Sequence, residues 1–354
     1  MSRKATTKNS GPGAVSFILL LRDINWMSIF RQELRMKIFY QERSIHSFDP
    51  DALMDVVANT GFDQRLLQGG MFAGTLTRIG LPHCRVDKGH YSLPCFARGA
   101  ASAEWVMVGM TFTAEQTAWV NGRDAYFDDF QLYAENAAVD YRTVAGAPWV
   151  ALQLPRDWLQ MQALRFSGRE IDYPARGVTN VVVPRWAALQ LRRELETLLT
   201  WNSRLSWDQM SLVAGTLEDR IVQTLVDALT AATPDRPVMR RQTERRKALM
   251  ESVEHYLADH LSEVIRLQDL VQHTGMEERS LQRFCQEVYG MTPKQLFGVT
   301  RLTQIRRELL RRERGSGTVR SIAEKWGIRH QGRFAARYEE LFGEKPSQTF
   351  QRSR

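Results

Sequence analysis

The sequence is poor in cysteine and has no long uninterrupted apolar run. It contains three cysteines in 354 residues, which excludes a disulfide framework and is typical of a reducing compartment. The longest apolar stretch, residues 16–30, is interrupted by Arg22 and Asp23, so it is too short to span a bilayer. It also lacks the small-residue cleavage site of a secretory signal. We therefore expect a cytoplasmic protein without a membrane partner.

Signatures of catalysis and metal binding are also missing. The sequence has no nucleophile elbow, zincin motif, P-loop or dinucleotide fingerprint. His83, Cys84, His90 and Cys95 lie close together in the sequence, but their spacing fits neither a C-x2-C nor an H-x3-H pair. We expect no enzymatic activity, no cofactor and no metal, and we expect these four residues to lie in the core or in loops.

The positive charge of the chain is unevenly distributed. The net charge is +8, and residues 240–354 hold 23 Lys and Arg against 15 Asp and Glu. The rest of the chain is therefore neutral. A basic C-terminal third beside a neutral body is typical of a nucleic-acid-binding module joined to another domain, although a solvated helical surface has a similar composition.

The first half of the chain has the pattern of an antiparallel β domain. Between Phe48 and about Pro155, short alternating runs such as 104–112 and 149–154 are separated by turn signals. We predict an α+β multidomain protein whose residues 46–183 form a β-rich domain, a sandwich or small barrel, that binds an effector. Its effector-binding residues are unknown, because aromatic residues on short strands could line a pocket or fill the core. The candidates are Trp105, Trp119, Tyr126, Phe127, Phe130 and Tyr133.

Helical periodicity replaces strand periodicity after residue 155. Pro155 is expected at the first position of one helix, residues 177–183 are expected to be extended, and residues 184–232 are expected to form a helical pair. The pair could pack on itself, on the sheet or on a second subunit. Its second helix carries five apolar residues on or near one face: Leu212, Leu217, Ile221, Leu225 and Leu229.

Two further segments complete the predicted organisation. Residues 1–45 are expected to be a poorly ordered leader or a short helix. Residues 233–246 hold two prolines and several charges, so we interpret them as an interdomain linker. Residues 247–350 are predicted to form an all-α domain.

The all-α domain contains a weak internal repeat. Leu270 precedes Gly275 by five residues, and Ile322 precedes Gly327 by the same distance. Gly290 with Pro293 in the first half corresponds to Gly343 with Pro346 in the second half. Each half therefore predicts a short helix, a turn with glycine and a second helix, in units at about 267–289 and 319–342.

Polar residues are concentrated at the start of the second helix of each unit. Leu281, Phe284 and Val288 form an apolar stripe that would bury the first of these helices. Arg279, Gln282 and Arg283 then remain outside, and arginine and glutamine can pair with base edges. The second unit has Arg329, His330, Gln331 and Arg333 at the equivalent place. This is the arrangement of a helix-turn-helix.

The segment between the two units predicts one connecting helix. Residues 293–313 would form a rod of about 30 Å at ~1.5 Å per residue, close to the ~34 Å pitch of DNA. It could place two recognition helices in successive major-groove turns. If the connecting helix is stiff, a modest bend of the DNA is expected.

Residues 245–350 resemble the AraC/XylS family of bacterial transcription regulators. The family pattern of the first half is present at Leu270, Gly275, Leu281, Arg283, Phe284, Gly290, Pro293, Arg301 and Leu302. The second half matches at Ile322, Ala323, Gly327, Phe334, Tyr338, Gly343 and Pro346. Within the family, the run "RLTQIRREL" is most similar to regulators of ethanolamine-utilisation operons.

The resemblance implies a role for particular residues. Base contacts fall to Arg279, Gln282 and Arg283 in the first unit and to Gln331 and Arg333 in the second. Gly332, Ala336 and Ile328 depart from the usual residues of the second unit, which therefore could mainly hold phosphate. The candidates for phosphate or less specific contacts are Lys294, Arg320, Arg329, His330 and Arg337.

The expected function is that of a DNA-binding transcription regulator, most simply an activator that responds to a small molecule. Its partners would be double-stranded DNA, a small-molecule effector, RNA polymerase and, through the helical pair, a second copy of the chain. Two alternatives stay open. One is an enzyme with an accessory nucleic-acid-binding tail, and the other is a constitutive DNA-binding protein whose first domain only dimerises.

Overall fold

The computed structural model describes residues 38–112, 118–202, 204–234, 237–263, 266–312 and 317–352. The apolar run at 16–30 and most of the expected leader lie outside these ranges. The first eleven strands are β1 Phe39–Ile45, β2 Asp63–Leu66, β3 Gly74–Gly80, β4 Arg85–Tyr91, β5 Cys95–Ala100, β6 Val106–Thr111, β7 Ala118–Val120, β8 Arg123–Ala125, β9 Asp129–Tyr133, β10 Ala138–Arg142 and β11 Trp149–Leu154.

Helices and two short strands follow along the rest of the chain. The middle elements are α1 Arg156–Ser167, β12 Val178–Val182, α2 Arg185–Asn202, α3 Trp207–Thr230 and β13 Thr233–Pro234. The C-terminal helices are α4 Pro237–Asp259, α5 Leu267–Thr274, α6 Glu278–Tyr289, α7 Pro293–Arg311, α8 Val319–Lys325, α9 Gln331–Phe342 and α10 Pro346–Gln351.

The strands form two antiparallel sheets. The larger has the order β1-β3-β4-β11-β6-β9-β12-β13, and the smaller has the order β2-β5-β10-β7-β8. Successive residues of β11 serve two cores: Ala151 faces the core shared with the smaller sheet, while Val150 and Leu152 face a core shared with helices α1 to α3. The central strands of the larger sheet are therefore apolar on both sides. The predicted fold class, a β-rich N-terminal domain with packed helices and an all-α C-terminal domain, is confirmed.

Three local expectations differ from the structure. Residues 39–45, expected within the leader, form an edge strand paired with β3 over its whole length, because the open edge of β3 supplies backbone partners that the sequence pattern does not reveal. Residues 237–246, interpreted as linker, form the first half of α4. Leu212 is 85% exposed, because the five-residue step to Leu217 places it roughly 140° around the helix at 3.6 residues per turn.

The C-terminal helices adopt the predicted double arrangement. Helices α5 and α6 form the first unit, and α8 and α9 form the second. Gly275 and Gly327 occupy the two turns with φ of 65° and 73°, a region that favours glycine. A Cβ on Gly327 would lie 2.2 Å from the carbonyl oxygen of Ser262, so this turn is also tightly packed.

Helix α7 joins the two units and also packs against the N-terminal domain. The side chain of Arg306 is fully buried and donates hydrogen bonds to the carbonyl of Phe48 and, at 3.1 Å each, to the Tyr338 and Thr349 hydroxyls. Its Nη2 atom lies 2.8 Å from Oε1 of Glu344. One guanidinium therefore joins the N-terminal domain, the connecting helix and the second unit.

Arg65 makes a second buried contact between the domains. This residue of β2 forms an ion pair with Glu254 of α4 and donates a hydrogen bond to the Thr300 hydroxyl of α7 at 3.0 Å. Its guanidinium also lies over the Tyr289 ring, 5.4 Å from the centroid. Since both arginines are buried, the contact between the domains is a specific polar interface.

We predict that Arg306→Met lowers the free energy of unfolding by about 3–5 kcal/mol, because Glu344 and two hydroxyls would lose a buried cation. Denaturant titration followed by tryptophan fluorescence measures this loss. Arg311→Met is the matched control on the same helix: Arg311 pairs with Asp51 but is 60% exposed, so its loss should cost no more than about 1 kcal/mol. Equal losses for the two variants would contradict the role given to Arg306.

Candidate nucleic-acid interface

The first recognition helix, α6, exposes the polar residues identified in the sequence. Arg279, Gln282 and Arg283 are all exposed, while Leu281, Phe284 and Val288 are buried against the rest of the domain. Gln282 donates a hydrogen bond to Glu278 at 3.1 Å. The side chain of Arg283 is 76% exposed, and its Nε atom lies 4.0 Å from Oε1 of Glu287. An exposed ion pair of this kind contributes little to stability, so the Arg283 side chain can turn toward a ligand.

In the second recognition helix, α9, one of the two predicted base-contacting residues is not fully exposed. His330, at its N-cap, and Arg333 are exposed. Gln331 is half-buried, and its Nε2 atom is buried without a hydrogen-bond partner among the described residues. The amide of Gln331 therefore points into the protein in this structure, and it must rotate outward to contact a base edge.

The remaining predicted contacts surround these two helices. Lys294 is exposed in the first turn of α7, Arg329 is exposed in the turn before α9, and Arg337 is exposed on α9. Arg320 on α8 is exposed and pairs with Glu324 at 2.7 Å. Cations at these places can bind phosphate without contacting bases.

Lys294 connects the surfaces of the two units. It lines a groove of about 280 Å³ together with Gln282 of the first unit. It also lines a groove of about 400 Å³ beside the second unit, whose charged or titratable lining residues are Lys294, Arg301, Arg329, His330, Arg333 and Arg337. No carboxylate is among the described residues that line this second groove. The two recognition helices thus lie on either side of one basic surface.

The N-terminal domain contacts both recognition helices at their C-terminal ends. Arg142 of β10 donates hydrogen bonds to the carbonyls of Glu287 and Val288 at 2.9 and 3.0 Å. On the other helix, the backbone N–H of Gly70 donates to the carbonyl of Leu341 at 3.3 Å. These contacts satisfy carbonyls at helix ends that lack partners within the helix. They fix both helices while the N-terminal halves stay exposed.

Glycine at position 69 is required for the hydrogen bond between the Gly70 N–H and the Leu341 carbonyl. A Cβ on Gly69 would lie 2.3 Å from the carbonyl oxygen of Glu340, which is far too close for any side chain. The loop can therefore reach helix α9 only because position 69 has no Cβ.

Sequence reasoning missed one basic part of this surface. Arg245 and Arg246, which fall in the interpreted linker, line a groove of about 420 Å³ together with Arg283. The signal was present in the sequence: residues 240–247 contain five basic residues, one acidic residue and no glycine or proline. Such a composition is compatible with a helix that starts at Pro237.

A small cavity lies between the two sheets of the N-terminal domain. Its volume is about 60 Å³, and its lining includes Gln64, Gln131 and Tyr141 among mainly apolar residues. Of the six aromatic candidates for an effector pocket, Tyr133 lines this cavity. Phe127 and Phe130 belong to the core on the other side of the larger sheet. Pockets for small molecules usually measure ~300–1,000 Å³, so an effector could bind here only if the sheets separated.

The other aromatic candidates for an effector pocket lie outside the cavity. Trp119 packs near Phe96, which contacts Tyr289 of the C-terminal domain. Tyr126 is exposed, and the Trp105 ring lies under the Arg85 guanidinium.

The cysteines and histidines that lie close together in the sequence, all of them among the described residues, do not form a metal site. Cys84 and Cys95 are buried, and His83 pairs with Glu218 at 3.0 Å. The described residues contain no group of three or more His, Cys, Asp or Glu that could hold a metal ion. In the same part of the chain, no helix is long and apolar enough to cross a membrane.

Comparison with known proteins identifies the C-terminal domain. Residues 270–352 match the family model described as "Helix-turn-helix domain". The "Probable thc operon regulatory protein" of Rhodococcus erythropolis is 36% identical over 93 residues, which are 26% of this chain and 28% of that protein. The "XylDLEGF operon transcriptional activator 3" of Pseudomonas putida is 34% identical over 102 residues, which are 29% of this chain and 31% of that protein. The chain thus spans less than a third of the length of these relatives.

Among solved structures, the AraC-like transcriptional activator CuxR matches with a TM-score of 0.37 and 14% identity, over 76% of this chain and 96% of that chain. Residues 270–352 of the chain described above therefore form a helix-turn-helix domain. The resemblance of this domain to the AraC/XylS family, drawn from the sequence, is confirmed.

One buried carboxyl group lies where the N-terminal domain faces helix α4. Asp140 of β10 is almost completely buried, with its Oδ1 atom 3.5 Å from Nε of Arg98. Burial raises its pKa to about 6; Arg98 and Lys247 oppose this increase, while Glu254 and Glu251 add to it. Because the pKa is higher in the folded protein than in the unfolded chain, the folded state binds more protons between pH ~4 and ~6.

We predict that Asp140→Asn removes a pH-dependent loss of stability. The wild-type protein should lose about 2–3 kcal/mol from this group as pH rises from 4 to above 6, because the buried carboxylate then becomes charged. The stability of the variant relative to wild type should therefore be greater at pH 8 than at pH 5. Denaturant titrations at the two pH values measure this difference, and an identical difference at both values would contradict the buried charge.

Proposed function

We propose that this protein is a transcription regulator that binds a specific site on double-stranded DNA with both recognition helices. The observation that carries the proposal is the pair of helix-turn-helix units, whose second helices expose Arg279, Arg283 and Arg333. Lys294 lies between the two units, in grooves that it shares with Gln282 of the first and Arg333 of the second. Arginine can pair with the major-groove edge of guanine. The additional cations can neutralise the flanking phosphates.

The connecting helix supports binding in successive major-groove turns. Helix α7 has 19 residues and is thus about 28 Å long at ~1.5 Å per residue, somewhat less than the ~34 Å pitch of DNA. It is stiffened by the buried side chains of Leu296, Ile305 and Leu309. We therefore propose that the DNA bends toward the protein, at a cost on the order of 1–6 kcal/mol.

The remaining parts of the proposal concern regulation. The curated relatives include a protein named as a transcriptional activator, which supports activation and hence contact with RNA polymerase. The cavity between the sheets is the proposed effector site, and helices α2 and α3 are the proposed dimer surface. Three free, buried cysteines support a reducing compartment such as the cytoplasm.

Selection from a random pool of DNA duplexes tests the proposal. The full-length protein should enrich duplexes with two short conserved tracts whose centres are about 10–10.5 base pairs apart, since both units face one side of the helix. Hydroxyl-radical footprinting of an enriched duplex should then show two protected tracts with that spacing. Enrichment of no sequence at all would contradict the proposed function.

We predict that Arg283→Ala weakens binding to the selected duplex by about 1–3 kcal/mol and relaxes the base preference at one position. Fluorescence anisotropy with single-base variants of the duplex measures both effects. Lys294→Ala is the matched comparison: loss of a phosphate contact should weaken binding equally on every duplex. If Arg283→Ala also weakened binding equally on all duplexes, Arg283 would be a phosphate contact.

A constitutive DNA-binding protein is the second candidate function, and the small size of the cavity favours it. The two functions differ in whether a small molecule binds the N-terminal domain. Thermal unfolding of the full-length protein against a panel of metabolites separates them. A metabolite that raises the melting temperature and changes DNA affinity supports regulation by an effector.

A further inference from the structure

The N-terminal half of helix α4 is a rigid basic arm. Residues 240–247 contain five basic residues and one acidic residue, and they continue the same helix whose second half is buried through Met250, Val253 and Leu257. The arm is therefore fixed to the core of the C-terminal domain. Its charges are held in place relative to helix α6.

Two faces of this arm are occupied by protein. On one face, the carbonyl of Thr243 approaches the turn between β7 and β8, where a Cβ on Gly122 would lie 2.7 Å away. On another face, Arg246 pairs with Glu287 of α6 at 3.0 Å. Arg241 and Arg245 remain exposed. No hydrogen bond or ion pair to a described residue is made by the side chain of either.

Cations flank the first recognition helix on both sides. Arg245 lines the groove on the side of α6 that carries Ser280 and Arg283, and Arg241 lies one turn earlier on the same face of α4. Lys294 lines the groove on the side that carries Gln282. A helix inserted into the ~12 Å wide major groove lies between two phosphate backbones. Cations on both flanks of α6 are therefore placed for the phosphates of the two strands.

We infer that Arg241 and Arg245 bind phosphate groups of the DNA backbone beside the first recognition helix. This inference rests on the proposed function and extends the DNA contact surface beyond the helix-turn-helix units. The ligand is the phosphodiester backbone, so the contact is independent of base sequence. The N-terminal domain supports the arm through the tight contact at Gly122.

The salt dependence of DNA binding tests this inference. The full-length protein is titrated against a fluorescein-labelled duplex of 30 base pairs at several NaCl concentrations, using both a selected and a scrambled sequence. Each phosphate contact contributes about 0.9 to the slope of log K against log salt. The double variant Arg241→Gln/Arg245→Gln should therefore lower the slope by about 1.8 and weaken binding by the same factor on both duplexes.

Two further variants make the test specific. Arg176→Gln changes an exposed arginine between α1 and β12 of the N-terminal domain, outside every surface proposed to bind DNA or a second copy, and should leave both affinity and slope unchanged. Arg241→Lys/Arg245→Lys keeps the charges and should retain most of the wild-type slope, because a lysine also binds phosphate as a point charge. Thermal unfolding should give the same midpoint for all these variants, since the side chains are exposed.

The inference is overturned if the glutamine variant keeps the wild-type slope, which would leave the arm free for an acidic protein partner. It is also overturned if the lysine variant loses as much slope as the glutamine variant, or if the loss of affinity differs between the two duplexes. Failure of the proposed function is a separate result: wild-type protein would then bind selected and scrambled duplexes equally, whereas the slopes of the variants could still differ.

Discussion

The arrangement of the proposed DNA-binding surface depends on the buried contact of helix α7 with the N-terminal domain. Arg306 joins Phe48, Tyr338 and Glu344, so the second unit, the connecting helix and the first domain share one guanidinium. A buried cation needs all its partners, since removing one leaves an uncompensated polar group. Apolar packing alone would tolerate several relative placements of these three parts, whereas the buried polar contacts of Arg306 specify one.

The other interdomain contacts act on the recognition helices themselves. Arg142 and the Gly70 N–H bind carbonyls at the C-terminal ends of α6 and α9, and the turn at Gly122 packs on the basic arm of α4. The N-terminal domain thus touches both recognition helices and the basic arm while leaving Arg279, Arg283 and Arg333 exposed. In the proposed regulation, a change in the N-terminal domain would alter DNA affinity through these contacts.

Local pattern predicted much of this molecule. The repeat of Leu270 with Gly275 and Ile322 with Gly327 predicted both helix-turn-helix units, because helix period, glycine turns and apolar stripes are local properties. The pattern did not predict that Gln331 turns inward, since the orientation of a side chain depends on neighbours that are remote in sequence. It also misassigned 237–246, because prolines and charges are typical of linkers, while Pro237 in this chain stands at the start of a helix.

The interdomain interface was beyond sequence reasoning for the same physical reason. Arg65, Arg142 and Arg306 are ordinary basic residues in the sequence, and their importance arises from partners more than a hundred residues away. Composition even suggested the opposite, because arginine in a basic C-terminal third is expected to face nucleic acid. In the structure, Arg306 is buried and Arg307 pairs with Asp51 and Asp63 of the N-terminal domain. Part of the positive charge of the connecting helix therefore holds the protein together, and the proposed DNA contacts are the exposed cations around Lys294 and on the two recognition helices.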